Sequence, residues 1–208
     1  MKQQVSLDLM EFVEKNILPR YAEFGRSHGL EHVTRVIRNA IQLVKITGAD
    51  IDMVYVIAAY HDLGMSGPRA IHHITGGKIL QADARLKRWF SSDQIKIMKE
   101  AVEDHRASAS KAPRSIYGKI VSSADRNTSV EVTLKRCYSY NRRHFPELNE
   151  SEIIEECRKF LLKKFGINGY ARNKMYFEDK KYQEYLDDIT DLASDRVKFV
   201  TEIIKVNK

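Results

Sequence analysis

Six of the seven histidines lie between His28 and His105, in company with the carboxylates Asp62, Asp104 and Asp125. Imidazole and carboxylate together are the donors of a transition-metal site, and imidazole titrates near neutral pH. A histidine alone on a helix is more often a surface or hydrogen-bonded core residue than a ligand, and His144, remote from the rest, reads that way. His28 and His32 stand at i and i+4, on one face of a helix start, where a single ion could meet both. His61 and Asp62 are adjacent and would diverge by about 100° on a regular helix. They share a site only if the helix ends there, and Gly64 supplies an end. A carboxylate closing an apolar helix is costly to desolvate unless neutralised, which a divalent cation would do. His72 and His73 follow on the next segment, and His105 closes a later one. Asp125 interrupts the apolar face of Ile120-Val121-Ser122-Ser123-Ala124-Asp125 and needs a partner, either such a cation or, more plainly, a buried ion pair with Arg35 or Arg38.

The elements that must position these groups read as helices nearly throughout. Val5, Leu7, Leu9, Met10, Phe12, Val13 and Leu18 predict a first helix, with Ser6 as cap and Pro19 as stop. A second spans about Glu31 to Thr47, with Gly48 as its exit. The third begins after Asp50 or Asp52, carries the most apolar stretch of the chain, and ends at Tyr60-His61-Asp62-Leu63-Gly64. A fourth covers Ala70 to Trp89, and a fifth, capped by Ser91 or Ser92, runs to about His105. Residues Arg106 to Arg114 read as a loop, followed by a long helix from Ser115 to about Tyr140. Asn149 with Glu152 predicts a capping box for a helix to Phe165, ended by Gly166 and Gly169. The last helix covers about Lys181 to Val206. The expectation is one all-α domain of seven to nine helices, with no repeat and no segment of strand period.

Composition narrows the function classes. A chain of 208 residues with 43% hydrophobic and 30% charged residues can bury a sizeable core, which excludes a disordered chain. Four prolines and 10 glycines are too few for a turn-rich β-sandwich. The longest apolar run, Met53 to Tyr60, is too short to cross a bilayer. Asp8, Glu11 and Glu14 stand where a secretory signal would be apolar, so a cytoplasmic protein without membrane partners is expected. Cys137 and Cys157 lie in no metal-site spacing and read as core thiols. The balance of 35 Lys+Arg against 28 Asp+Glu, +7 at pH 7, favours anionic partners. Basic runs such as Arg85-Leu86-Lys87-Arg88-Trp89, Lys135-Arg136 and Arg142-Arg143 raise nucleic acid as a partner. Without a recognised binding motif they read as solvated faces instead.

Three stretches together carry a family likeness. His28-Gly29-Leu30-Glu31-His32-Val33-Thr34-Arg35-Val36, Ala58-Ala59-Tyr60-His61-Asp62-Leu63-Gly64 and Ser123-Ala124-Asp125-Arg126 occur in the order, and on helices of the character, that resemble the HD superfamily of metal-dependent phosphohydrolases, in particular its small bacterial branch. The likeness spans about residues 20 to 200, since Asn168 to Phe177 and the charged helix after it resemble that branch's tail. The resemblance implies a single HD-type helical bundle over 1–208, with a metal-site core of about 20–140 and C-terminal helices of about 150–206 packed on it. It implies His32, His61, Asp62 and Asp125 as metal ligands. His73, followed by Gly76 and Gly77, and His105 resemble the extra histidines of members that hold two metals, with Asp62 bridging; one such branch hydrolyses dinucleoside tetraphosphates. Met65 stands where the signalling phosphodiesterases carry Lys, and the Glu of the 5′-deoxynucleotidase branch is missing, which points away from both.

The expected chemistry is hydrolysis of a phosphoester or phosphoanhydride on a small phosphorylated substrate, a nucleotide or dinucleoside polyphosphate, with one or two divalent ions activating water. Mixed imidazole and carboxylate donors suit Mn, Fe, Co, Ni or Zn. Asp62 and His28 are the expected catalytic residues, His28 by orienting the substrate or protonating the leaving group. Arg35, Lys78 and Arg126 lie one short step from the ligands and are the expected phosphate-binding cations. The rival from another class is a non-catalytic module of the same fold that senses a nucleotide or binds a partner. An oligomer is compatible with either.

Overall fold

A computed structural model describes residues 4–207, and of Arg26 the backbone only. The described residues are all-α. They divide into two compact units, one up to Asp125 and the other from Arg126. The division falls at a helix break.

The first unit holds α1 (Leu7–Asn16), the single turn α2 (Gly25–His28), α3 (Leu30–Thr47), α4 (Ile51–Tyr60), α5 (His72–Ala82), α6 (Ser92–Asp104) and α7 (Ile116–Ala124). At its centre is α4, buried at every position except Asp52 and packed against α3, α6 and α7. Asp50 starts it, its carboxylate accepting from the backbone N–H groups of Asp52 and Met53. Ser6 precedes α1 without capping it through its side chain; its hydroxyl instead donates to Asp52 at 2.7 Å, tying the chain start to α4. Pro19 lies inside a 3₁₀ segment, Leu18–Glu23, beyond the end of α1. Gly48 ends α3 at φ 65°, a left-handed conformation that glycine adopts without strain.

The expected fourth helix, Ala70 to Trp89, is shorter. α5 ends at Ala82, where Asp83 turns the chain by accepting from Arg85 N–H and from the Tyr60 hydroxyl at 2.8 Å. The expected helix from Ser115 to Tyr140 is two helices. Between them Asn127 bonds back to Ser129, and Ser129 caps the next helix, local bonds that compete with a continuous helical ladder.

The second unit is α8 (Val130–His144), α9 (Glu150–Phe165), α10 (Lys180–Ser194) and α11 (Arg196–Val206). The capping box of Asn149 and Glu152 opens α9 as expected. The expected last helix is interrupted at Asp195, which caps α11 by accepting from Lys198 N–H. These breaks raise the helix count above the expected seven to nine. Leu134, Ile153, Leu161, Leu186, Ile189 and Phe199 form the core of this unit, with the free thiols Cys137 and Cys157 buried among them. No described helix is long and apolar enough to cross a membrane.

Candidate metal centre

α4 delivers His61 and Asp62 together because it stops between them. His61 keeps helical dihedrals, while Asp62 leaves the helix at φ −105°, ψ 5°. Tyr21, fully buried, fixes the junction: its hydroxyl donates to the Ala59 carbonyl at 2.9 Å and accepts from the Asp62 N–H at 3.3 Å. A close backbone approach then brings α5 in. A Cβ on Gly64 would overlap the His72 carbonyl oxygen, and one on Gly76 would lie 3.1 Å from the His61 carbonyl oxygen. The missing side chains are what let α5 lie against the end of α4.

The two carboxylate oxygens of Asp62 face different partners. Oδ2 lies 2.7 Å from His28 Nδ1, 3.3 Å from His32 Nε2 and 3.4 Å from His61 Nε2. Oδ1 lies 3.4 Å from His72 Nε2 and 3.6 Å from His105 Nε2. Asp125, at the C-terminal end of α7, places Oδ1 3.3 Å from His32 Nε2 and 4.0 Å from His61 Nε2. Three overlapping donor groups result: His28, His32 and Asp62; His32, His61 and Asp125; Asp62, His72 and His105, within each of which the ligand atoms lie inside 4.8 Å of one another.

The hydrogen-bond pattern behind the rings tests whether these donors fit a metal. His61, His72 and His105 each turn Nδ1 to the carbonyl oxygen three residues earlier, at 2.7, 2.7 and 2.6 Å. Each Nδ1 therefore carries hydrogen and, in the neutral ring, each Nε2 presents a lone pair. His72 and His105 aim these lone pairs at one another across 3.2 Å, beside Asp62 Oδ1. His61 Nε2 and His32 Nε2 are 3.1 Å apart beside Oδ2. Around Asp62 Oδ1, acceptors crowded this closely need shared positive charge, and a divalent ion among mixed N and O donors fits.

The electrostatics agree. Burial opposes ionisation of Asp62, yet His61 and the neighbouring imidazoles of His105, His28 and His32 outweigh it and hold the carboxyl well below its usual range. Burial also depresses His61, but the Asp62 charge and hydrogen bond raise it to about 9. Burial, then the neighbouring His105, pushes His72 down to about 4, and burial lowers His32.

Not all expected site residues converge. His72, not His73, faces Asp62 and His105. α5 explains the exchange: His72 is one turn before Gly76 on the face toward His61, whereas His73 is one turn before Gly77, on the face toward Lys99 and Glu103. His73 Nδ1 is buried without a hydrogen-bond partner among the described residues. Lys78 is exposed and, two positions past Gly76, lies about 200° round the helix from the centre. Arg126 is engaged within the second unit, donating to the Lys174 carbonyl with its guanidinium 4.7 Å from the Tyr182 ring centroid. Asp104 binds Arg114 instead, through its backbone N–H and its guanidinium. His144 stacks on Tyr140 at 3.9 Å, a surface contact as expected. The sequence reading missed Tyr21 and His72. The i, i+4 register of His72 with Gly76 was the available signal for the second; a lone tyrosine on a 3₁₀ turn gave none for the first.

Residues 29–128 match the family model described as HD domain. Over that stretch the chain is similar to HD domains, and the stretch supplies every ligand candidate except His28. Among solved structures it is similar to a predicted HD superfamily hydrolase from an uncultured Thermotogales bacterium, at 20% identity and a TM-score of 0.49, over 75% of this chain and 86% of that one. Comparison with curated proteins found no match.

Proposed function

We propose that the protein is a phosphohydrolase that uses divalent transition metals to cleave a phosphoester or phosphoanhydride in a nucleotide or dinucleoside polyphosphate. One observation carries the reading: the two oxygens of a single buried carboxylate, Asp62, face two separate histidine sets. His32, His61, Asp62 and Asp125 would hold one ion, and Asp62, His72 and His105 a second, with Mn, Fe, Co, Ni or Zn suiting these donors better than Mg or Ca. Such ions would lower the pKa of water and draw charge from a phosphoryl oxygen.

The chain's own groups do the rest. Asp62 bridges the donor sets and accepts from His28 Nδ1 at 2.7 Å, which fixes that ring. His28 is 18% exposed, the most open of the histidines around Asp62, and so the one best placed to meet the substrate's leaving oxygen. Arg35, next to His32, binds phosphoryl oxygens through its planar fork. The net charge of +7 draws an anionic substrate.

Protein loaded with each of the five metals in turn is incubated with dinucleoside polyphosphates, nucleotides and aryl phosphates. Turnover is expected with at least one pair of metal and substrate, falling to background in Asp62→Ala. Tight nucleotide binding with no turnover under any metal would replace this reading with that of a sensor.

A further inference from the structure

Three of the buried histidines at the centre turn Nδ1 to a carbonyl oxygen and keep Nε2 for a ligand. His32 breaks the pattern. Its Nδ1 lies 3.0 Å from a terminal guanidinium nitrogen of Arg35, one turn further along α3. A guanidinium offers only donors, so the direction of this bond is fixed: Arg35 donates, Nδ1 accepts, and the neutral ring carries its hydrogen on Nε2. Nε2 is also the atom that faces His61 Nε2 at 3.1 Å and Asp62 Oδ2 and Asp125 Oδ1, both at 3.3 Å, and either carboxylate can accept that hydrogen. The same hydrogen bars an ion from Nε2. Ligation there moves the hydrogen to Nδ1, where it would point at the guanidinium, donor against donor. The 3.0 Å contact and a ligated neutral His32 therefore exclude one another.

We propose that Arg35 is a positioning residue that couples metal loading to anion binding, held on His32 Nδ1 while Nε2 is protonated and displaced from it when Nε2 takes an ion. The displaced guanidinium exchanges a ring nitrogen for a phosphoryl oxygen, a better acceptor for a cationic fork. In this way the anion subsite is completed only at a loaded centre. The inference rests on the metal-dependent reading above and adds an order of events to it.

Nitrogen-15 spectra of the histidine rings test it, with zinc as a diamagnetic probe and His32 assigned by loss of its signals in His32→Ala. His32 is expected to carry its hydrogen on Nε2 without zinc and on Nδ1 with it. Arg35→Gln, whose side-chain oxygen can accept from Nδ1–H, should bind zinc about tenfold tighter than wild type and, once loaded, bind inorganic phosphate about tenfold more weakly, the scale of one charge-assisted hydrogen bond. Zinc bound with His32 still protonated on Nε2, or with no hydrogen on either nitrogen, overturns the coupling and leaves the metal reading standing. Equal phosphate affinity in loaded wild type and Arg35→Gln likewise overturns it. Failure of zinc and of each of the other four metals to bind overturns both.

Discussion

Asp62 concentrates the chemistry because it is buried, ionised and flanked on both oxygens by imidazoles. In the metal-free state its charge keeps a proton on His61, whose pKa of about 9 lies above the ordinary 6.5. An ion that takes His61 Nε2 must displace that proton. Its apparent affinity should therefore rise about tenfold per pH unit between pH 7 and 9 and level off above, and calorimetry in buffers of different ionisation enthalpy should find about one proton released at pH 7. A pH-independent affinity with no proton release would remove His61 from the ligand set. The same shift stabilises the metal-free fold: the contribution is fully present below pH 6.5 and is lost as pH rises through about 9. His72, lowered to about 4, contributes in the opposite sense, its share being present above pH 6.5 and lost as pH falls toward 4. Tyr21 acts on this junction through its hydroxyl. Tyr21→Phe leaves the Ala59 carbonyl and the Asp62 N–H without their buried partner and should cost about 1–3 kcal/mol in denaturant unfolding. An unchanged midpoint would show that water replaces the hydroxyl.

Helix ends, more than helix faces, shape the centre. His61 and Asp62 converge because α4 stops between them, and Asp125 reaches the site from the C-terminal end of α7. The ending of α4 was readable from Gly64, and the starts of α6 and α9 from Ser91 and from Asn149 with Glu152. The ending of α7 was missed, although Asp125-Arg126-Asn127-Thr128-Ser129 holds no apolar residue and offers Ser129 as a cap for the next helix. What stops the helix is the local bonding of Asn127 with Ser129, which competes with the helical ladder only once its geometry forms. The approach of α5 makes its own prediction. Gly64→Ala forces a Cβ into the His72 carbonyl and should destabilise the protein by about 1–3 kcal/mol or more, moving His72 away from Asp62. Denaturant unfolding together with metal stoichiometry checks both effects; wild-type values for both would show that α5 shifts without cost.

Across the whole molecule, ion binding and folding share one free energy. Anything that binds only the folded state stabilises it, by about 2.7 kcal/mol when present at 100 times its dissociation constant. A chelator should therefore lower the melting temperature of wild-type protein, and Asp62→Ala, lacking the carboxylate common to both donor sets, should melt at one temperature with or without it. Equal chelator sensitivity in the two proteins would place the ions elsewhere. The amino-acid order by itself determined the all-α class, the burial of α4 and the identities of His32, His61, Asp62, Asp125 and His105 as a group, since helical period, capping residues and donor chemistry are local properties. Only the tertiary structure decided that His72 stands in the place expected for His73, that Tyr21 braces Asp62, and that Lys78 faces away. Adjacent histidines differ by about 100° around a helix, and which of them meets a carboxylate follows from the face that the helix buries, here set by the contact of Gly64 and Gly76 with backbone distant in the chain.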